Sequence, residues 1–216
     1  MVRGVFIVFE GGEGAGKSLQ VEILAGHLRE AGYPIVVTRE PGGTRIGEQI
    51  RSITHNPENV DLHAKAEAYL MAASRAQHVT ETIAPALVAG KIVISDRFVD
   101  SSIAYQGYGR QIGPDLVASL NELAVAGATP DVTILLNISP EEGMRRRREA
   151  AKTNDRLDLQ QKDFYERVYG GYLTLAKKDP SRYLVIDASA PVETVGNEVW
   201  KFVQTFLEKR NGGKKS

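Results

Sequence analysis

The chain has 216 residues, 42% of them apolar and 25% charged, with 27 basic and 27 acidic side chains and no cysteine. That length supports one sizeable core, and the composition is that of an ordinary globular protein. Balanced charge excludes a global pull toward nucleic acid or membrane, and the missing thiols exclude disulfides, thiolate metal sites and a cysteine nucleophile.

In chain order, Met1-Val2-Arg3-Gly4 shows neither the apolar core nor the cleavage site of a signal peptide. No apolar run approaches the ~18 residues of a membrane span, so a cytoplasmic protein is expected. Val5-Phe6-Ile7-Val8-Phe9 is apolar throughout and reads as a strand buried on both faces, as in a parallel sheet. Glycines follow, and then Leu19, Ile23, Leu24 and Leu28 recur at helical spacing. A second strand is expected at 34–37. The Ala-rich stretch 64–87 reads as one long helix with a break at Pro85. A third strand, 92–94, ends at Ser95-Asp96, and 114–126 reads as a helix. A fourth strand is expected at 132–136. Ser139-Pro140 then offers a capping serine and a proline at the first helical position. A fifth strand at 184–186 and a helix at 192–207 complete the series. The polar tail from Lys209 is expected to fray, with the domain ending near 210 and 211–216 flexible.

Strands alternating with helices imply a doubly wound α/β fold, a parallel five-stranded sheet with helices on both faces, in a single domain of residues 1–210. Gly11-Gly12-Glu13-Gly14-Ala15-Gly16-Lys17-Ser18 matches the P-loop pattern G-x-x-x-x-G-K-[ST]. Its glycines let backbone N–H groups converge on phosphate oxygens, and the following helix adds its positive end. Lys17 is expected on the β- and γ-phosphates and the Ser18 hydroxyl on Mg²⁺. A glycine turn that matches by chance is the plain alternative. The buried strand before it and the amphipathic helix after it favour the P-loop NTPase fold. No N-K-x-D sequence for reading guanine is present.

Asp96 ends a strand on the side where ligands collect in such sheets, so it is a candidate to hold Mg²⁺ or its water shell. A kinase acting on a phosphorylated acceptor brings two polyanions together and needs arginines to do so. The candidates are Arg39, Arg75, Arg97, the run Arg145, Arg146, Arg147 and Arg148, and Arg156. Arg39 and Arg97 stand at strand ends. The run precedes a polar stretch expected to be mobile, and a basic lid over about 143–157 would exclude water from bound nucleotide. A charged helix face or a nucleic-acid patch is the plain alternative, and the shortness of the run and the zero net charge argue against the second. His27, His55, His63 and His78 lack metal-ligand spacing and read as structural or surface groups.

Four segments resemble the thymidylate kinase family. They are Phe9-Glu10-Gly11-Gly12-Glu13-Gly14-Ala15-Gly16-Lys17-Ser18, Thr38-Arg39-Glu40-Pro41-Gly42-Gly43-Thr44, the stretch from Asp96-Arg97-Phe98 to Tyr105-Gln106-Gly107, and Asp155-Arg156. The resemblance runs along most of the chain and implies phosphoryl transfer from ATP to dTMP with Mg²⁺, in a homodimer. It implies that Glu13 holds the deoxyribose 3′-hydroxyl and that Arg39 and Arg97 hold the dTMP phosphate. Arg75 and Ser101 would face thymine, Tyr105 would fill the space of a ribose 2′-hydroxyl, and Gln106 would lie nearby. Some members carry a catalytic arginine in the P-loop where this chain has Gly14, and others supply it from the lid. That leaves Arg148 or a neighbour as the donor, beside Lys17, Arg97 and Asp96. Met71 stands where the family usually stacks a phenylalanine on the base, and can pack there through its polarizable sulfur. The long helix 64–87 is a candidate dimer element. Another nucleoside or nucleoside-monophosphate kinase on the same fold would differ at the pocket residues Met71, Arg75, Ser101 and Tyr105, and a nucleotide-gated binding protein would not need Arg39, Arg75 and Arg97 on an acceptor phosphate.

Overall fold

A computed structural model describes residues 3–150 and 155–212. All five expected strands are present: β1 (Val5–Glu10), β2 (Ile35–Arg39), β3 (Ile92–Asp96), β4 (Val132–Asn137) and β5 (Tyr183–Asp187). They form one parallel sheet in the order β2-β3-β1-β4-β5. The helices are α1 (Lys17–Glu30), α2 (Arg45–His55), α3 (Ala64–His78), α4 (Ala84–Val88), α5 (Val99–Ser102), α6 (Pro114–Val125), α7 (Pro140–Ala150), α8 (Lys162–Lys178) and α9 (Val192–Gly212).

Central β1 shows why the strand is apolar without alternation. Val5, Ile7 and Phe9 pack on one side against Leu24 and Leu28 of α1 and Val199 and Val203 of α9. Phe6 and Val8 pack on the other against Val79, Ile83, Leu87 and Phe98. Farther along that second side, Leu135 of β4 meets Tyr172 and Ala176 of α8. Each such fully buried side chain contributes roughly 1.5–3 kcal/mol from loss of apolar surface to water. Both faces must therefore be apolar, and the chain returns to the sheet through helices.

The expected helix 64–87 is divided. After α3, a π turn at Val79–Ile83 leads into α4, and the Ala84 N–H returns to the Val79 carbonyl. Pro85 has no N–H to return to Glu81, and its ring would strike that carbonyl. The wider turn ahead of it absorbs the mismatch, so the break precedes the proline. The last helix also outruns its expected end. Leu207 is buried, and Arg210 donates to Asp131 (2.8 Å) and to the carbonyls of Arg3 (2.9 Å) and Gly4 (3.2 Å). Helix α9 thus continues past Lys209 to Gly212, and the remainder of the expected tail, 213–216, lies outside the described residues.

Helices α2, α5 and α8 have no counterpart in the sequence reading. In α8 the buried Phe164, Val168, Tyr172 and Ala176 are helically spaced, but Gly170-Gly171 interrupts the pattern. Gly171 is needed for close approach, since a Cβ there would lie 2.7 Å from the Tyr108 ring. The sheet grows from β1 toward β3 and β2 on one side and toward β4 and β5 on the other. The loops leaving the carboxyl ends of β1 and β3 therefore diverge, and a crevice opens between them.

Candidate active site

The loop leaving β1 turns through Gly11, Gly14 and Gly16 at φ of 142°, 68° and 87°, conformations that side chains disfavour. It delivers the chain into α1 with Lys17 buried at its centre. Lys17 Nζ donates to the carbonyl oxygens of Gly11 (3.1 Å) and Gly12 (2.8 Å), so the loop is wrapped around its own lysine. Burial and the adjacent Arg97 push this ammonium down to about 8, while Glu13 and Asp96 pull the other way. Ser18 Oγ, in the first turn of α1, donates to Asp96 Oδ2 at the end of β3 (2.6 Å), joining the two residues that the sequence assigns to a metal.

Across the crevice, Arg97 follows β3 and fans its donors over several residues. Nη2 reaches Glu13 Oε1 (2.8 Å) and the Tyr105 hydroxyl (3.3 Å). Nη1 reaches the Gly11 carbonyl (3.1 Å), Ser101 Oγ (3.2 Å) and the Tyr172 hydroxyl (3.2 Å). The guanidinium lies 5.0 Å from the centre of the Tyr105 ring, and the Tyr105 hydroxyl donates to Glu13 (2.8 Å). Burial acts to raise the Glu13 carboxyl, but Arg97 and Lys17 outweigh it and hold it at about 2. Glu13, from the phosphate loop, thus forms one hydrogen-bonded cluster with Arg97, Ser101 and Tyr105, which follow β3 at four-residue spacing.

Arg39 ends β2, half-exposed, with Nη2 on both oxygens of Glu48 (2.9 and 3.0 Å). Arg75 is buried and donates to Glu40 (2.8 Å), Ser102 (3.0 Å), the Phe98 carbonyl (3.0 Å) and Asn121. Gln106 donates to the buried Glu67 (2.7 Å). Arg39, Arg75 and Gln106, together with Met71 and the loop 13–18, line one cleft of about 440 Å³. Its lining includes the phosphate loop, Arg39 and Arg97, and Met71, Arg75 and Gln106.

The chain matches the thymidylate kinase family over residues 9–199. It is 46% identical over 207 residues to a thymidylate kinase of Pelotomaculum thermopropionicum, covering 96% of both chains. It is 44% identical over 209 residues to one of Bacillus pumilus, covering 96% of this chain and 99% of that one. The crystal structure of the thymidylate kinase from Ehrlichia chaffeensis superposes with a TM-score of 0.76 at 36% identity, covering 94% of this chain and 99% of that one. The chain belongs to the thymidylate kinase family.

Position 14 of the phosphate loop has no room for a side chain. A Cβ on Gly14 would lie 1.9 Å from the Gly143 carbonyl oxygen, and one on Gly143 would lie 2.3 Å from that of Glu13. The phosphate loop and α7 touch backbone to backbone, so no side chain fits at position 14. Helix α7 instead presents Arg146 and Arg147 to the cleft. Arg148, the sequence candidate, is exposed and does not line it, because its position on the helix points away. Arg146 donates to Glu142 (2.8 Å) and the Ala188 carbonyl (2.9 Å), and Arg147 to Asp158 (3.1 Å) and Asp155 (3.3 Å). Arg156 is no phosphate ligand in this arrangement: it is buried, donating to the Thr54 carbonyl (2.8 Å) and to Glu67. The polar stretch expected to be mobile falls partly on 151–154, outside the described residues.

Four groups of the site escaped the sequence reading. Glu48 neutralises Arg39. Arg51 and His55 line the cleft from α2. Burial and Arg51 push the His55 imidazole down to about 4, so it is neutral near pH 7. Glu10 is buried behind Arg97. The Arg-Glu-Pro-Gly-Gly-Thr signature pointed to the neighbourhood of Glu48, but nothing local marks Arg51 or His55.

Proposed function

We propose that the chain transfers the γ-phosphate of ATP to dTMP, giving ADP and dTDP. The observation that carries this reading is the Arg97 cluster joined to Glu13 of the P-loop in one cleft, whose lining also includes Met71, Arg75 and Gln106. The dTMP phosphate is already anionic, so its oxygen attacks without a general base. The new P–O bond forms at the γ-phosphorus as the bond to the β–γ bridging oxygen breaks and ADP leaves. The protein's task is then positioning and charge neutralisation.

Arg39 and Arg97 take the acceptor phosphate, and Glu13 exchanges part of its Arg97 contact for the deoxyribose 3′-hydroxyl. Arg75, Ser101 and Met71 meet the base, with Gln106 beside them, and Tyr105 fills the 2′ position. Lys17 turns from its loop carbonyls to the ATP phosphates, held by the backbone of 11–18. Arg147 is the lid arginine placed to meet the transferring phosphoryl group. Ser18 and Asp96 are paired hard oxygen groups beside the phosphate loop and would hold Mg²⁺ there. When bound, that ion spreads the negative charge of the phosphates.

A single domain of 1–210 with a lid over 143–157, acting in the cytoplasm as a homodimer, fits the same reading. The exposed Tyr69 on α3, the helix proposed as the dimer element, is one apolar group available to the second copy. Sedimentation as a monomer at micromolar concentration would remove that part. The reaction is tested by ADP release with ATP and Mg²⁺ in the presence of dTMP, dUMP, dCMP, dGMP, CMP, UMP or no acceptor. Fast turnover with dTMP and weak turnover with dUMP is expected. Equal turnover with the others indicates a broader monophosphate kinase. Indifference to acceptor indicates a nucleotide-gated ATPase and undoes the roles of Arg39, Arg75 and Arg97.

A further inference from the structure

Glu10 is the last residue of β1, lies directly before the phosphate loop and is fully buried. The reaction outlined above gives it no task. Its carboxylate nevertheless has four donors. Oε1 accepts the backbone N–H groups of Phe98 (2.9 Å) and Ser101 (3.1 Å). Oε2 accepts the hydroxyls of Ser101 (2.6 Å) and Tyr172 (3.0 Å). All of these groups belong to, or surround, the turn that carries Arg97.

That turn is strained. Arg97 has a φ of 72°, a left-handed conformation that a side chain disfavours and that persists only when neighbouring contacts over-determine it. The Arg97 N–H donates to the Phe9 carbonyl (2.9 Å), and Ser95 Oγ donates to the Arg97 carbonyl (2.7 Å). The next N–H, that of Phe98, goes to Glu10. A peptide turned away from Glu10 would cost the Phe98 N–H, on a buried residue, this partner.

We propose that Glu10 is a positioning residue for Arg97, holding the turn in its left-handed conformation so that the guanidinium faces the acceptor phosphate. This role rests on Arg97 being the acceptor-phosphate arginine. It also ties the acceptor side to the strand from which the donor loop starts, so that both phosphates are registered against one backbone segment.

The two carboxylate oxygens differ in what they can tolerate. Oε1 faces N–H donors only and must stay unprotonated, whereas the hydroxyls at Oε2 can each turn and accept. A proton therefore enters at Oε2 and leaves the backbone bonds in place with weaker acceptor strength. The charged or titratable groups around Glu10 are Arg97, Asp100 from α5, Lys17 from α1, Tyr172 from α8, and Tyr183 from β5 behind Asp100. Burial and the Asp100 carboxylate push Glu10 up to about 7, against Ser101 and Arg97. Neutral Glu10 then resembles a glutamine.

The test measures KM for dTMP and for ATP in the wild-type protein, Glu10→Gln and Glu10→Ala, with crystal structures of both variants. Glu10→Ala is expected to raise KM for dTMP about tenfold or more while KM for ATP stays within about twofold. Glu10→Gln keeps a carbonyl oxygen for both N–H groups and should recover most of that loss. The ratio of wild-type to Glu10→Gln kcat/KM for dTMP should be severalfold at about pH 8.5 and approach one at about pH 6. The ionisation of dTMP itself cancels in this ratio. In the Glu10→Ala crystal, Arg97 should leave its left-handed conformation. An unaltered KM for dTMP, an equal rise for both substrates, or Arg97 unmoved in that crystal would each overturn the proposal. If Glu10→Ala does not fold, the pH course of the Glu10→Gln ratio decides, and a flat ratio overturns it. Wild-type protein inactive on dTMP would remove the reaction reading instead. The Arg97 backbone angle in Glu10→Ala would then decide the question without reference to activity.

Discussion

Replacing Gly143 by alanine sets two effects of opposite sign against each other. Gly143 lies in the first turns of α7, its N–H on the Ser139 carbonyl (2.9 Å). On helix propensity alone, alanine should stabilise α7 by ~1 kcal/mol. Its Cβ, however, would lie 2.3 Å from the Glu13 carbonyl oxygen, a backbone atom that cannot swing aside. Ordinary contact begins near 3.4 Å, so the phosphate loop and α7 must part by about 1 Å. Glu13 then shifts against Arg97 and Tyr105, and α7 carries Arg147 away from the cleft. A misplacement of about 1 Å costs up to ~10²-fold in rate, so kcat/KM for dTMP should fall about 10- to 100-fold, or ~1.4–2.7 kcal/mol of transition-state stabilisation. Coupled ADP release at varied dTMP measures it. Gly170→Ala in α8 is the control, because a Cβ there meets nothing within 4 Å. It should add up to ~1 kcal/mol and raise Tm by about 2–4 °C with activity unchanged. Gly143→Ala with a raised Tm and unaltered kcat/KM would refute the reasoning.

Lys17 ionises at about 8 when free and should regain its ordinary ammonium range against phosphate oxygens, so ATP binding takes up protons at about pH 9 and none at about pH 6. Calorimetry in buffers of different ionisation heat reads this uptake, and its survival in Lys17→Met would assign the proton elsewhere. Arg147→Ala should lower kcat by ~10²-fold, as loss of a donor to developing charge does, while Arg148→Ala stays within about threefold. Equal losses in the two variants would contradict the placement of Arg147 in the cleft. Met71→Phe restores an aromatic face worth ~0.5–1 kcal/mol and should lower KM for dTMP a fewfold. No change would mean that Met71 does not stack on the base.

The sequence by itself determined the five strands, the phosphate loop and the side of the sheet on which ligands gather. Those features rest on local rules: continuous apolar runs, glycines at fixed spacing, and parallel strands whose carboxyl ends must lie together. Ser18, Asp96, Arg39 and Arg97 were legible for that reason, each sitting at a strand end or in the loop. Tertiary structure alone decided the rest. Whether Arg147 or Arg148 enters the cleft depends on the rotation of α7, which the Gly14–Gly143 backbone contact sets. The π turn at Val79–Ile83 reflects how the chain accommodates Pro85 while keeping Val79 and Ile83 against the sheet. Arg210 prolongs α9 because Asp131, far away in sequence, lies within reach. Glu10 reads as one more acidic residue until folding buries it beneath the Arg97 turn, because a carboxylate's role is fixed by which donors from distant segments surround it, and only the packed chain brings those donors together.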